Sequence, residues 1–296
     1  MADTKPSLLL EGDPPLLLDE WQMAPVLWDA VRFAVDKRGS LGQFILTGSS
    51  TPRDNLTAHS GTGRIARMLM RPVINLDIQR VDGVEKDPER VRVLLQSLAR
   101  NISTMATSRT IMDDMQVNES SITDKTLSSY LNALRRIFVI EDVPAWQPSL
   151  RSKTALRKAN KRQFVDPSIA TAVMRTNATG ILRDFKTFGF LFESLCTRDL
   201  RVYTQASDGV VFHYRDKSEL ESDLVIKLHD GRWAAVEVKL GMKQIEEAAA
   251  NLIKLSQKID TEKMNQPSFL MVLTGGLVAY RRSDGVLVVP IGCLRD

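Results

Sequence analysis

Two short apolar runs near the amino terminus each end in polar residues. Leu16–Leu18 leads into Asp19 and Glu20, and Gln43–Thr47 leads into a turn that contains Ser49. A helical apolar pattern lies between them, which predicts a strand, a helix and a second, parallel strand. The polar ends of such strands share one edge of a sheet. There Asp19 can hold a hydrated Mg²⁺ and Glu20 can activate a water, unless both acids simply cap the next turn.

The middle of the chain has the spacing of three amphipathic helices. Apolar positions recur every three or four residues from Val93, from Ile111 and from Leu127. Ser121 and Thr123 are candidate N-caps for the third helix. The segment Phe138–Val143 predicts a strand, and a basic hairpin follows it. This order of elements is the outline of a winged helix.

The basic residues of this part favour a nucleic-acid partner. Residues 91–165 include twelve Lys or Arg and six Asp or Glu, an excess that attracts a polyanion. In a winged helix the third helix can enter a major groove while the wing contacts phosphates. We therefore predict DNA contacts from the third helix through Lys125, Arg135 and Arg136, and from the wing through Arg157, Lys158, Lys161 and Arg162. Winged helices also bind proteins, and that alternative stays open.

The strongest pattern in the chain is a hairpin between residues 221 and 240. Two apolar strands flank His229-Asp-Gly231, which predicts a three-residue loop with its glycine in the left-handed conformation. In that register Asp223 faces Glu237, and Lys239 lies on the same face. Facing carboxylates repel each other unless a cation lies between them. We therefore expect Mg²⁺ or Mn²⁺ at Asp223 and Glu237.

Composition narrows the class of protein. With 296 residues, of which 43% are hydrophobic, the chain can form two or three domains with sizeable cores. We predict boundaries at 1–85, 86–165 and 166–296. Two cysteines provide no disulfide framework. No apolar run reaches the roughly 18 residues that cross a bilayer, and the first residues lack the pattern of a signal peptide. We expect a cytoplasmic protein without a membrane partner.

The amino-terminal motifs LLLDEWQ and FILTGSS, with a GR pair ahead of LMRP, resemble a widespread bacterial and archaeal family of AAA-type ATP-binding proteins. In that family an ATPase domain precedes a carboxyl-terminal domain of unknown function. The resemblance implies roles for five residues: Walker B acids at Asp19 and Glu20, a sensor strand with Thr47 and Ser49, and the terminal arginine of the ATPase domain at Arg64.

The sequence departs from that family at the phosphate-binding loop. No GxxxxGK[ST] motif is present, so the N–H groups and the lysine that hold the phosphates are missing. We expect the polypeptide to begin partway through the ATPase domain and to hydrolyse no ATP alone. It would bind ATP only if the loop is supplied elsewhere. A partial P-loop (RecA/AAA-like) parallel sheet would also expose an apolar face, which another protein chain is expected to cover.

The carboxyl-terminal spacing D-x₁₃-E-x-K resembles the PD-(D/E)XK nuclease superfamily, which has a restriction-endonuclease-like mixed sheet in the order αβββαβ. The resemblance implies metal-dependent phosphodiester hydrolysis: Asp223 and Glu237 hold the metal, Lys239 orients the water, and Glu193 assists the metal. The expected function is therefore that of an AAA-family protein acting on nucleic acid. The alternative is a non-catalytic DNA- or protein-binding module, the remnant of a split ATPase gene. His213 is expected in solvent or in a turn.

Overall fold

The computed structural model describes residues 6–19, 21, 24–40, 42–47, 78, 86–117, 122–148, 159–259 and 264–294. The chain divides into two compact units, residues 1–70 and residues 71–296. The architecture is mixed α/β, with a small parallel sheet in the first unit and a larger mixed sheet in the second. No helix within these ranges is long and apolar enough to cross a membrane.

The first unit is built on a strand, a helix and a parallel strand: β1 (Leu16–Leu18), α1 (Val26–Arg38) and β2 (Phe44–Leu46). Leu17 pairs with Ile45, as the apolar pattern predicts. Gly39, with φ of 66°, ends the helix by donating its N–H to the carbonyl of Val35. Leu17 and Ile45 are 61% and 51% exposed. The expected uncovered apolar face is therefore present in the described part of this unit.

Three helices open the second unit: α2 (Pro88–Arg100), α3 (Ser108–Val117) and α4 (Asp124–Arg136). Asp87 caps the first by accepting the N–H of Glu89, and Thr123 caps the third by accepting that of Thr126. Their apolar faces share one core, which includes the fully buried Leu94, Ile111, Leu127 and Leu134. The three predicted helices are confirmed.

Residues 159–165, which we call the crossing segment, connect these helices to the larger sheet. The strand predicted at Phe138–Val143 is not formed. The crossing segment instead runs antiparallel to residues 140–143 through isolated bridges between Val143 and Lys161 and between Ile140 and Phe164. Val143 and Lys161 exchange two backbone hydrogen bonds of 2.9 Å. Two short helices follow, α5 (Pro167–Val173) and α6 (Ala178–Arg183).

The larger sheet lies between two long helices. In chain order the elements are α7 (Phe185–Gln205), β3 (Val210–Arg215), β4 (Glu221–Lys227), β5 (Trp233–Lys239), α8 (Ile245–Lys258), β6 (Leu270–Thr274), β7 (Tyr280–Arg281) and β8 (Leu287–Pro290). Their order across the sheet is β3-β4-β5-β6-β8-β7. Neighbours among the first three strands are antiparallel to each other, and β6 is parallel to both of its neighbours, β5 and β8. The order α7-β3-β4-β5-α8-β6 was predicted, whereas β7 and β8 were not.

Alternation along β4 and β5 divides their side chains between two cores. Leu224 and Val236 pack with Cys196 and Leu200 of α7. Val225 and Ala235 pack instead with the core that contains Ala248, Leu252 and Leu255 of α8. The predicted hairpin register is confirmed for residues 224–227, because Leu224 pairs with Val236 and Val225 with Ala235, but Asp223 and Glu237 are not among the paired residues. Gly231 has φ of 87°, as the predicted loop requires.

Candidate active site on the mixed sheet

A register shift in the sheet brings Asp223 toward β5. Tyr214 pairs with Ser222 and Phe212 with Val225, so β4 has one residue more than β3 between these two pairs. Such a bulge redirects the side chains next to it. The Asp223 carboxylate accepts the backbone N–H of Val238 at 2.9 Å and is 8% exposed. Asp223 therefore caps the β4–β5 ladder with its side chain.

Glu237 and Lys239 meet Asp223 at this point. The ammonium nitrogen of Lys239 lies 2.7 Å from Glu237 Oε2 and 3.4 Å from Asp223 Oδ2. Glu237 is 2% exposed, and only a hydrogen-bonded or paired carboxyl group tolerates such burial. The structure thus brings together the three side chains that the hairpin pattern selected.

A fourth and a fifth charged side chain complete the cluster. Glu193 projects from α7, and Lys161 reaches in from the crossing segment. The ammonium nitrogen of Lys161 lies 2.7 Å from Glu193 Oε1 and 3.5 Å from Asp223 Oδ1. The side chains of Lys161 and Glu193 are 11% and 12% exposed. We call Glu193, Asp223, Glu237, Lys161 and Lys239 the carboxylate cluster.

Burial and neighbouring charges divide the carboxyl groups of the cluster into two kinds. Burial raises the pKa of Glu193 to about 7, although Lys161 acts against it. Burial and repulsion by Asp223 raise the pKa of Glu237 well above its usual range. Burial also acts to raise the pKa of Asp223, but Lys161 and Lys239 outweigh it and the pKa falls. Glu237 is therefore the carboxyl that retains a proton, and Asp223 carries the charge.

The pKa values of both lysines in the cluster are raised. Burial alone would lower the pKa of Lys161, but attraction by Glu193 and Asp223 raises it instead. The pKa of Lys239 rises in the same way, because Asp223 and Glu237 outweigh burial. Both side chains are therefore ammonium cations, and the cluster contains its own counter-ions.

The cluster has the right donors for a divalent cation. Carboxylate oxygens are the ligands that Mg²⁺ prefers, and the buried Glu237 Oε1 has no hydrogen-bond partner among the described residues. Within those same residues, however, no three His, Cys, Asp or Glu side chains are arranged to hold a metal ion. The ammonium groups of Lys161 and Lys239 lie between the carboxylates. The cluster therefore has oxygen ligands that suit a metal ion, but these ligands can bind the ion only after a lysine side chain moves away.

Two residues assigned to nucleotide binding lie together in the first unit. The Thr47 hydroxyl donates a hydrogen bond to Asp19 Oδ1. This contact follows from the parallel pairing, which continues where Thr47 donates its N–H to Leu18 O at 3.0 Å. The other three assigned residues, Glu20, Ser49 and Arg64, lie outside the described residues.

The candidate nucleic-acid residues are in different environments. Lys125 and Arg136 are exposed on α4, and they line a shallow groove with Ser128, Ser129, Asn132, Ala133 and Arg135. Arg135 and Arg162 each lie 2.8 Å from Asp142, which offsets their charge. Lys161 is in the carboxylate cluster and not on the surface predicted for it. Arg157 and Lys158 lie outside the described residues.

His213 differs from the sequence expectation. It is 1% exposed, and its Nε2 lies 2.9 Å from the carbonyl oxygen of Ala159. Burial lowers its pKa to about 4, and the nearby ammonium of Lys161 adds to this effect. His213 is thus a neutral core residue that joins β3 to the crossing segment.

Two family models match this chain, and both describe domains of unknown function. The first, DUF8612, covers residues 55–180, and the second, DUF4143, covers residues 188–294. The second domain is found in AAA-associated proteins. Its range contains three carboxylates and one lysine of the cluster, whereas Lys161 falls within the first.

A solved assembly also matches the chain distantly. It consists of AAA+ hexamers of McrB from Thermococcus gammatolerans with bound McrC. The match has 10% sequence identity, covers 69% of this chain and 70% of the other, and has a TM-score of 0.25. That score is too low to establish a common fold. No curated protein matches the sequence.

Proposed function

We propose that this chain is an AAA-associated protein that acts on nucleic acid, with a PD-(D/E)XK-type phosphodiesterase site on its larger sheet. The observation that carries the proposal is the meeting of Asp223, Glu237 and Lys239 at the end of one hairpin, with Lys239 within 3.4 Å of both carboxylates. The element order α7-β3-β4-β5-α8-β6 supports it, because it matches the order expected for that superfamily.

Each residue of the site has a proposed role. Asp223 and Glu237 would hold Mg²⁺ or Mn²⁺, with Glu193 assisting. The bound ion would polarise the phosphodiester and lower the pKa of a water. Lys239, a cation beside both carboxylates, would orient that water and stabilise the negative charge that develops on the phosphoryl oxygens.

The helical part of the second unit would bind the DNA as a winged helix. Its three helices and the antiparallel crossing segment support this proposal. Lys125 and Arg136 are the exposed cations of α4, so they are suited to phosphate contacts. Arg157 and Lys158 would extend the surface as the wing.

The first unit would act as the remnant of a nucleotide site. Asp19, Glu20, Thr47, Ser49 and Arg64 would serve ATP only with a phosphate-binding loop supplied elsewhere, since the sequence contains no such motif. The exposed apolar face at Leu17 and Ile45 supports a protein partner that covers the small sheet.

The test of this proposal is a cleavage assay on single- and double-stranded DNA and RNA with Mg²⁺ or Mn²⁺. The isosteric variant Glu237→Gln should reduce cleavage by about 100-fold or more, because glutamine, unlike the protonated carboxyl of Glu237, cannot release a proton to become an anionic metal ligand. Glu247→Gln, an exposed position on α8, is the matched control and should cleave like the parent. Equal cleavage by the parent and Glu237→Gln would refute the assignment of the site.

A non-catalytic binding module is the second candidate. It is favoured by the lysine counter-ions and the 2% exposure of Glu237, which leave the carboxylates already neutralised and covered. Calorimetric titration of Mn²⁺ into the parent and Asp223→Asn separates the two. Binding that the variant abolishes supports the phosphodiesterase site, whereas DNA binding without any cleavage under either metal supports the module.

A further inference from the structure

Lys161 closes the carboxylate cluster from the side of the helices. Its ammonium nitrogen contacts Glu193 of α7 at 2.7 Å and Asp223 of β4 at 3.5 Å, so it joins acids from two separate elements. A divalent cation shared by these acids would need the same position. The ammonium group of Lys161 thus occupies the position where the proposed function requires a metal ion.

The backbone that carries Lys161 is held on both sides. Lys161 exchanges two backbone hydrogen bonds with Val143, and its neighbour Arg162 accepts from Ser103 at 2.8 Å and donates to Thr104 at 2.7 Å. These bonds belong to the crossing segment and to the helical part, not to the sheet. The backbone can therefore stay in place while the long, flexible lysine side chain withdraws.

Under the proposed function, a metal ion and the ammonium group of Lys161 compete for the same position. We propose that Lys161 is the resident cation of the metal site and that a divalent ion binds only in exchange for its ammonium group. With Lys161 in place, a metal would lie beside two ammonium groups in a poorly solvated site, where like charges repel strongly. With Lys161 withdrawn, Glu193 and Asp223 each regain an oxygen, and Glu237 Oε1 already lacks a partner among the described residues.

The variant Lys161→Met tests the exchange in the full-length chain, since methionine retains an unbranched apolar stem without the charge. Mn²⁺ should bind this variant roughly tenfold or more tightly than the parent, because a competing buried cation is gone. Its unfolding midpoint should fall in metal-free buffer and recover with Mn²⁺. The control Lys254→Met removes an exposed lysine of α8 and should change neither quantity. Calorimetry and thermal unfolding measure both.

A second variant keeps the test decisive if Lys161→Met folds poorly. The double variant Lys161→Met/Glu193→Gln removes both partners of one buried pair and should recover stability without metal. Affinity for Mn²⁺ equal to that of the parent, or failure of Mn²⁺ to restore Lys161→Met, would overturn the exchange. Tighter Mn²⁺ binding without cleavage would leave the exchange standing and refute the phosphodiesterase function. If the parent cleaves nucleic acid and Lys161→Met binds Mn²⁺ no more tightly than the parent, the exchange is refuted and the phosphodiesterase function stands.

Discussion

The backbone N–H of Val238 donates to Asp223 Oδ2 over 2.9 Å, so a side-chain carboxylate takes the place of a carbonyl in the β4–β5 ladder. This bond fixes the direction of the carboxylate at the bulge. It also helps to keep Asp223 charged, as the lowered pKa indicates, although Lys161 and Lys239 contribute more.

A pair of variants at Asp223 isolates that bond. Asp223→Asn and Asp223→Leu both remove the charge, but only asparagine retains an oxygen that can accept the N–H of Val238. The leucine variant should therefore be less stable than the asparagine variant by about 1–3 kcal/mol, the cost of a buried unpaired donor. Chemical denaturation of the two variants measures the difference. Equal stabilities would mean that this bond contributes nothing to the fold.

His213 should make stability depend on pH. Its pKa is about 4 in the folded protein and about 6.5 in the unfolded chain. Between these values the unfolded chain binds more protons, so stability is fully present above pH 6.5 and falls as the pH drops toward 4. The loss should amount to at most about 3 kcal/mol. Urea denaturation at several pH values should show it.

Two variants separate the effect of His213 on the pH dependence of stability from the opposing effect of Glu193. His213→Gln should lose less stability than the parent between pH 6.5 and 4. Glu193, with a pKa raised from 4.5 to about 7, binds its proton more tightly in the folded protein, so its contribution falls as the pH rises through that window. Glu193→Gln should remove that fall. An identical pH profile in the parent and His213→Gln would contradict the assignment of His213.

DNA binding should depend on the exposed cations of α4. Lys125→Glu with Arg136→Glu should lower affinity and reduce the slope of log affinity against log salt by about 2, if each residue neutralises one phosphate. Fluorescence anisotropy over a salt series measures both quantities. Lys254→Glu reverses an exposed charge on α8 and serves as the control. An unchanged salt slope in the double variant would remove α4 from the interface.

The small parallel sheet should associate through its apolar face. Replacing Leu17 and Ile45 by lysine should abolish association of the chain in sedimentation experiments and change its stability by only about 0.5 kcal/mol, because both side chains are exposed. The contrary result would be a monomeric parent in which the amides of residues 16–18 and 44–46 exchange slowly. That outcome would mean that the small sheet is stable without a partner.

The loop of the β4–β5 hairpin offers a local test of register. Gly231 has φ of 87°, and among the described residues beyond its chain neighbours a Cβ there would meet only Asn265 Nδ2, at 3.7 Å, so the cost of Gly231→Ala is conformational. We expect about 1 kcal/mol of destabilisation. Gly241→Ala is the matched control and should be nearly neutral, because φ is −119° and, apart from its chain neighbours, none of the described residues comes within 4 Å of the added Cβ. Equal effects would contradict the left-handed assignment.

The hairpin could be predicted because the residues that determine its loop and register lie close together in the sequence. Gly231 fixes the loop, the loop fixes the register, and alternation then selects the face that Asp223 and Glu237 share. The bulge was not predictable from that pattern. It depends on how β3 pairs with β4, and it turns Asp223 toward the N–H of Val238 instead of leaving it directly opposite Glu237.

Lys161 was unpredictable for a different reason. Within a basic run its charge is typical of a solvated wing, and nothing local distinguishes it from its neighbours. Its partners lie 32 and 62 residues further along the chain, at Glu193 and Asp223. His213 resembled a surface residue in the same way, until the carbonyl of Ala159 gave it a buried partner. Long-range electrostatic partners leave no periodic trace in a sequence.

The crossing segment also determines how this protein can be divided for expression. A fragment that begins at residue 166 contains Glu193, Asp223, Glu237 and Lys239 but leaves Lys161 behind. In such a fragment Glu193 and Asp223 lack the ammonium group that lies 2.7 Å from Glu193 in the whole chain. The site of the fragment would therefore carry one positive charge fewer and be less stable than the site of the whole chain. The smallest piece that preserves the site therefore includes the helices that hold the crossing segment.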